Sequence, residues 1–146
     1  MYSSVRRVGI LVILLVSGLL YFNYINQETI LEESIRTVKE FHWLKLSGTY
    51  NKESTIQIDL LVTEGGPVDL FVFNKSGYNE FYYIMTTDRG IFMPIISEFN
   101  IKSANIQFEV PTDELFYVII NNALIFSDNE IPMGDVTISI KISSKN

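Results

Sequence analysis

The first pattern along the chain is a long apolar run without charge. No charged side chain occurs between Arg7 and Glu28, and fourteen of the eighteen residues from 8 to 25 are hydrophobic. As an α-helix, eighteen residues rise about 27 Å, which is close to the hydrocarbon thickness of a bilayer. Residues 8–25 are therefore predicted to form a single transmembrane helix.

Charge on the two sides of this run predicts its orientation. Arg6 and Arg7 precede it, whereas the first charged residues after it are acidic. Because positive residues are enriched on the cytoplasmic side of membrane helices, residues 1–7 are predicted to be a cytoplasmic tip and the remainder to be extracytoplasmic. We therefore expect a single-pass signal anchor that stays in the cell membrane and contacts the lipid bilayer through residues 8–25.

Two alternatives to a retained anchor stay open, and both also export the rest of the chain. The small residues Ser17 and Gly18 suit cleavage of a secretory signal. The leader RRVG (6–9) before an apolar helix resembles type IV pilin-like precursors, which are cut after a glycine that follows basic residues. This resemblance implies a pilin-like structural subunit processed after Gly9, although Leu14 stands where many such subunits carry glutamate.

Residues 26–42 show a helical spacing. Glu32 and Arg36 are four residues apart, in the order that favours an ion pair on a helix. We predict a short helical stalk that continues from the membrane helix. Two roles are open for it: packing on its own domain, or forming a seam between copies that would give a homo-oligomer. Four side chains recur at intervals of four, three and four residues: Leu31, Ile35, Val38 and His42.

From residue 43 to 146 the period changes to two. Ile56 and Ile58, for example, alternate with Gln57 and Asp59. Such alternation is typical of antiparallel strands with one buried and one solvated face. Turn residues separate these segments, so the fold class is predicted to be all-β, an antiparallel β-sandwich of about eight strands. The predicted strands are 41–47, 55–63, 68–73, 80–86, 93–99, 104–110, 115–121 and 135–143.

Two of the predicted strands, 68–73 and 115–121, are apolar on both faces, except for Asp69 in the first. They are either central strands covered on both sides, or part of an exposed patch that binds a partner protein, since large exposed apolar patches mark interaction sites. The partner patch would consist of Phe71, Phe73, Tyr82, Tyr117 and Ile119.

Three segments carry a family resemblance: VDLFVFN (68–74), FEVPTDELFYVIINNA (108–123) and VTISIKI (136–142). Together they resemble small extracytoplasmic β-sandwiches of the pre-peptidase C-terminal and GOLD-like kind, in which a strand from a tyrosine to an asparagine precedes the last strand. Tyr117 to Asn122 holds that place here. The resemblance implies an accessory or interaction domain without catalysis, and it supplies no catalytic residue.

Composition and charge exclude several classes of function. The chain has no Cys, one His, a sequence pI near 4.7 and a formal net charge of −6. A disulfide framework, a Cys-based zinc site and a thiol nucleophile are excluded. Nucleic acid is not an expected partner, because no basic surface could neutralise its phosphates. Residues 28–146 contain 9 basic and 17 acidic side chains, a charge of −8, so the exported part is clearly acidic.

Individual residues point only weakly to chemistry. A Ser-His-Asp triad would have to use His42, the one histidine, but the sequence contains no nucleophile motif. We therefore predict no catalytic residue, no cofactor and no enzyme activity. An unrecognised carboxylate-based hydrolase is kept as an alternative. Acidic turns offer oxygen ligands of the kind that calcium prefers, with Asp113, Asp128 and Glu130 as candidates. Asn74 begins an Asn-Lys-Ser sequence and is a candidate glycosylation acceptor.

The function that these patterns favour is interaction. We predict a membrane-anchored, non-catalytic, extracytoplasmic module that binds a protein partner and acts as an accessory subunit of a cell-envelope or membrane complex. The pilin-like subunit and the carboxylate-based hydrolase are its alternatives.

Overall fold

Eight β-strands and one α-helix make up the part of the chain that the structure, a computed structural model, describes: residues 28–87, 89–123 and 134–145. In chain order the elements are β1 (Glu28–Val38), β2 (His42–Tyr50), β3 (Thr55–Glu64), β4 (Val68–Asn74), α1 (Lys75–Thr87), β5 (Ile96–Ile101), β6 (Ser103–Glu109), β7 (Glu114–Asn122) and β8 (Val136–Lys145).

The strands form two antiparallel sheets of four. Sheet A has the order β1-β8-β3-β6, and sheet B has the order β2-β7-β4-β5. Neighbouring strands within each sheet are antiparallel throughout. The predicted all-β sandwich of about eight strands is thus confirmed.

The chain passes from one sheet to the other at nearly every connection. Only β4 and β5 are consecutive strands of the same sheet, and α1 lies between them in sequence. The turn between β3 and β4 shows how tightly the two sheets are joined. Gly65 has a φ of 91°, and a Cβ atom there would lie 2.7 Å from the Asp135 carbonyl oxygen. Only glycine fits this crossing.

The main core lies between the two sheets. Sheet A contributes alternate side chains of β3 and β8, such as Ile58 and Ile140, and sheet B contributes residues such as Leu70, Val118 and Ile120. All five are at most 3% exposed. The outward residues of β3 and β8 are polar or partly exposed, as the period of two in the sequence predicts.

The predicted strand 80–86 is wrong, because this segment belongs to helix α1. Its aromatic and β-branched residues favour strands, but its context favours a helix. Asn74 Oδ1 accepts a hydrogen bond from the Gly77 backbone N–H at 2.9 Å and so caps the first turn. Gly77 and Phe81, four residues apart, are buried on one face of α1, and Met85 packs on the same side.

The predicted helical stalk 26–42 is also wrong where the structure describes it. Residues 28–38 form β1, which pairs with β8 from Glu28 opposite Lys145 to Val38 opposite Val136. Glu32 and Arg36 do form the expected ion pair, at 3.3 Å. They meet because residues four apart also share a face of a strand.

Several predictions lie outside the described residues. These include the transmembrane segment 8–25, the processing site at Gly9, and the calcium candidates Asp128 and Glu130. Within the described ranges, no helix has both the length and the apolar character needed to cross a membrane.

Candidate interaction surface

The central strands of sheet B, β4 and β7, are mainly apolar on both faces, and α1 covers their outer face. Phe71 and Phe73 of β4 pair with Ile119 and Tyr117 of β7 on this face. Phe81 of α1 is packed against them in a second cluster of buried side chains. The sandwich is therefore a three-layer structure over this region, made of sheet A, sheet B and one helix.

This arrangement corrects the predicted partner patch. Phe71, Phe73 and Ile119 have no exposed surface and Tyr117 is 9% exposed, because α1 covers them. Tyr82 alone among the five is exposed, at 53%. Strands 68–73 and 115–121 are thus central strands with both faces covered. The patch as predicted does not exist on the surface.

Ring contacts hold α1 against sheet B. The ring centroids of Phe73 and Phe81 are 5.3 Å apart, and Trp43 of β2 meets Phe81 edge to face at 5.8 Å. Tyr78 stacks on Tyr117 at 4.2 Å. Such ring contacts add favourable energy to the burial of the aromatic side chains, and here they fix the position of the helix on the sheet.

Residues 91–95, which follow α1, carry apolar side chains on both sides of the segment. Only one of these sides packs against the rest of the protein. Phe92 packs on Phe71, with ring centroids 4.9 Å apart. Ile91, Met93 and Ile95 alternate with the half-buried Phe92 and Pro94 and point outward. Their side chains are 69%, 64% and 46% exposed. Three adjacent outward positions of one segment therefore present apolar groups to solvent.

This segment lies alongside α1, so its exposed side chains adjoin those of the helix. A Cβ atom at Gly90 would lie 2.9 Å from Ile84 and 3.5 Å from Tyr83, and the Met93 carbonyl oxygen lies next to Gly77. We use the name outer apolar surface for six exposed side chains of α1, segment 91–95 and β5: Tyr82, Tyr83, Ile91, Met93, Ile95 and Phe99.

Two further features adjoin this surface. A shallow, mainly apolar depression on α1 is lined by Tyr78, Asn79, Tyr82, Tyr83 and Thr86. The ammonium group of Lys45 lies 5.1 Å from the Tyr78 ring centroid, a cation–π distance. The helix thus offers tyrosine rings with both apolar faces and hydroxyl groups, which suits contact with a protein.

A buried polar group lies in the same sheet. The carboxylate of Asp69 accepts hydrogen bonds from the Asn100 backbone N–H at 2.9 Å and from Asn121 Nδ2 at 3.3 Å. Burial raises the pKa of Asp69, and these two hydrogen bonds only partly oppose that shift. Asn121 Oδ1 has no hydrogen-bond partner within the described ranges. The group links β4, β5 and β7. In the sequence, Asp69 is the polar exception in a strand that is otherwise apolar on both faces.

The remaining predicted site residues are separate from one another. Asp113 accepts a hydrogen bond from the Lys52 backbone N–H, and the described residues contain no group of three or more His, Asp or Glu side chains that could hold a metal. Asn74 is half-buried and caps α1. His42 is the first residue of β2, and its Nδ1 atom lies 2.8 Å from the Glu40 carbonyl oxygen. The structure brings none of these residues together.

The fold is similar to that of a protein of known structure. No family model and no curated protein matches the sequence. The chain is similar in structure to the Aeromonas hydrophila protein PliG, a periplasmic lysozyme inhibitor of g-type lysozyme. The TM-score is 0.51 at 10% sequence identity, and the match covers 82% of this chain and 88% of PliG. At this identity the similarity shows a shared fold.

Proposed function

We propose that this protein is a non-catalytic extracytoplasmic module that binds a protein partner through the outer apolar surface. The observation that carries the proposal is the apolar segment 91–95, which is covered on only one side. Exposed apolar side chains that adjoin tyrosines are typical of interfaces, where tyrosine and methionine are enriched. PliG, which has a similar fold, is an inhibitor of another protein, and this supports the proposal. The sequence resemblance to pre-peptidase C-terminal domains implies interaction as well.

The proposal includes the membrane anchor. With residues 8–25 in the bilayer, β1 would begin at Glu28, three residues after the anchor. The Glu28 and Lys145 end of sheet A would then face the membrane, and the outer apolar surface, which lies on the opposite side of the sandwich from sheet A, would face sideways. A protein in the same membrane or in the envelope could reach it there.

Serine variants of the apolar segment test this function. The tagged full chain is expressed in its native cells and purified in mild detergent. We expect the amount of co-purified partner to be at least about tenfold lower for the I91S/M93S variant than for wild type. The reason is that burying each apolar side chain contributes about 1.5–3 kcal/mol. The readout is the amount of each co-purified protein relative to wild type.

The matched control is I35S/L61S, which replaces two apolar side chains that are 72% and 52% exposed on sheet A. This variant should retain the partner at the wild-type level. Equal retention by I91S/M93S and I35S/L61S would contradict the proposal, as would the absence of any specific partner of the wild-type protein.

A further inference from the structure

Among the described residues, the two sheets end in four edge strands, and three of these carry features that discourage further pairing. Glu32 and Arg36 of β1 pair with core residues of β8 and so point charge toward the inner face, and the register of β1 shifts between Ile30 and Glu32. Lys45 lies in the middle of β2. Inward charges, bulges and lysines are the usual protection of sheet edges.

Strand β5 is protected in the same way. Its pairing with β4 is irregular between Val68 and Leu70, and Glu98 lies opposite the core residue Leu70. Asn100 has a φ of 56°, a conformation that interrupts a regular strand.

Strand β6 is different, because its edge is regular. It pairs with β3 over seven consecutive residues without a shift of register. Its sequence, SANIQFE, contains no proline and no lysine, and its single charge is the terminal Glu109. The inward residues Ala104, Ile106 and Phe108 are only half-buried, so apolar surface is left at this edge.

The hydrogen bonds at both ends of β6 show which backbone groups point away from β3. Val62 donates to the Lys102 carbonyl at 2.8 Å, and Val110 donates to the Ser54 carbonyl at 3.0 Å. In an antiparallel pair the bonded residues alternate, so the even-numbered residues of β6 bond to β3. The odd-numbered residues direct their N–H and C=O groups to the open edge: Ser103, Asn105, Gln107 and Glu109.

We propose that β6 pairs antiparallel with β6 of a second copy of this chain, with the twofold axis at Ile106. This register pairs Asn105 with Gln107 of the second copy and Ser103 with Glu109, so all four edge-directed residues bond at once, giving about eight hydrogen bonds. A register moved by two residues toward the end of β6 would set Pro111, which lacks an N–H, opposite Ser103.

The side chains agree with this register. On the outer face, the amides of Asn105 and Gln107 lie opposite each other across the pair and can exchange hydrogen bonds. On the inner face, the small Ala104 lies opposite the large Phe108, and Ile106 lies opposite itself. No like charges are opposed, because the two Glu109 residues lie at opposite ends. Sheet A would become one continuous eight-stranded sheet.

This pairing uses residues of β6 and none of those that make up the outer apolar surface. A dimer would therefore present two copies of it to partners, and binding to a partner with repeated sites would be strengthened by avidity. The dimer and the partner-binding function are independent, so each of them is tested separately.

Cysteine cross-linking tests the proposed register, and the natural chain has no Cys to interfere. Full-length N105C and Q107C proteins, each with a different tag, are mixed in mild detergent and oxidised. Opposite residues of an antiparallel pair have Cα atoms about 5 Å apart, within disulfide range. We expect a disulfide-linked dimer that carries both tags, and much less cross-linking in either protein alone, because like positions are offset by two residues.

The control mixture is I35C with T37C, two exposed outward positions of the other edge strand of sheet A. It should give no specific dimer. Cross-linking in this control but not between N105C and Q107C would overturn the proposal and place the contact at β1 instead.

A charge variant tests the same contact without cysteine. N105K/Q107K would place lysines directly opposite lysines twice, so we expect its mass in detergent, corrected for bound detergent, to fall from two chains to one. The lysine introduced at position 105 would still lie beside Asp59, which bonds Asn105 in the natural chain. I35K/T37K adds the same charge on β1 and should stay dimeric. A monomeric wild type, or a dimeric N105K/Q107K, would overturn the proposal.

Discussion

At the scale of single residues, Asp69 is the group whose chemistry departs most from its surroundings. It is 4% exposed, and the next residues along β4 on the same face are Phe71 and Phe73 of the buried apolar cluster. Its two hydrogen-bond donors, the Asn100 N–H and the Asn121 amide, do not remove the cost of burying its charge, which is why the pKa of Asp69 is raised. A carboxyl group of this kind makes stability depend on pH.

The sign of this dependence follows from the raised pKa. The folded state holds the Asp69 proton more tightly than the unfolded state, so the contribution of Asp69 to stability is greatest at low pH and is lost as pH rises through the folded pKa. Glu28 and Glu32, whose pKa values are lowered by hydrogen bonds to Ser143 and Ser34 and by their basic neighbours, act in the opposite direction. Only a comparison with a variant isolates Asp69.

We expect Asp69→Asn to be more stable relative to wild type at pH 7.5 than at pH 4, because asparagine keeps an acceptor for the Asn100 N–H but carries no charge. Asp69→Ala should cost about 1–3 kcal/mol at either pH, since it leaves that N–H unpaired. Urea unfolding of the full chain, followed by the fluorescence of Trp43, measures both effects. A difference between Asp69→Asn and wild type that does not change with pH would contradict this interpretation.

At the scale of elements, the sequence predicted strands well where polar and apolar residues alternate. Seven of the eight predicted strands are present with shifted ends, as for 93–99, which is Ile96–Ile101 in the structure. The two errors have physical causes. In β1 the inward positions of an edge strand are polar, so outward Ile35 and inward Val38 produced a helical spacing by coincidence. In α1 the aromatic run concealed the spacing of four between Gly77, Phe81 and Met85.

A helix and a strand at residues 80–86 predict different effects of substituting Phe81 and Tyr83. In a strand, Phe81 and Tyr83 would share a face, whereas in α1 Phe81 is buried and Tyr83 is 50% exposed. We expect Phe81→Ala to lower the free energy of unfolding by about 3–5 kcal/mol and Tyr83→Ala to change it by less than about 1 kcal/mol. Trp43, which contacts Phe81, reports both variants in urea titrations. Equal costs for the two variants would contradict the helical packing.

At the scale of the whole molecule, the arrangement of the sheets explains what could not be predicted. Alternation shows that a strand has two different faces, but it does not show which sheet the strand joins. In this fold the chain passes from one sheet to the other at nearly every connection. The sequence alone shows that strands 68–73 and 115–121 are largely apolar on both faces. Only the tertiary structure shows that α1 covers these strands. It also shows that the exposed apolar side chains lie on the layer outside sheet B.

The most direct test of the central claim is site-specific photo-cross-linking in native membranes. A photoreactive residue is placed at position 93 of the full chain, in the outer apolar surface, or at position 35, on the opposite side of the sandwich. Met93 and Ile35 are both strongly exposed, at 64% and 72%, so accessibility is matched. We predict a discrete adduct with another protein from position 93 and none from position 35. An adduct from position 35 alone, or none from position 93, would contradict the assignment of this surface to partner binding.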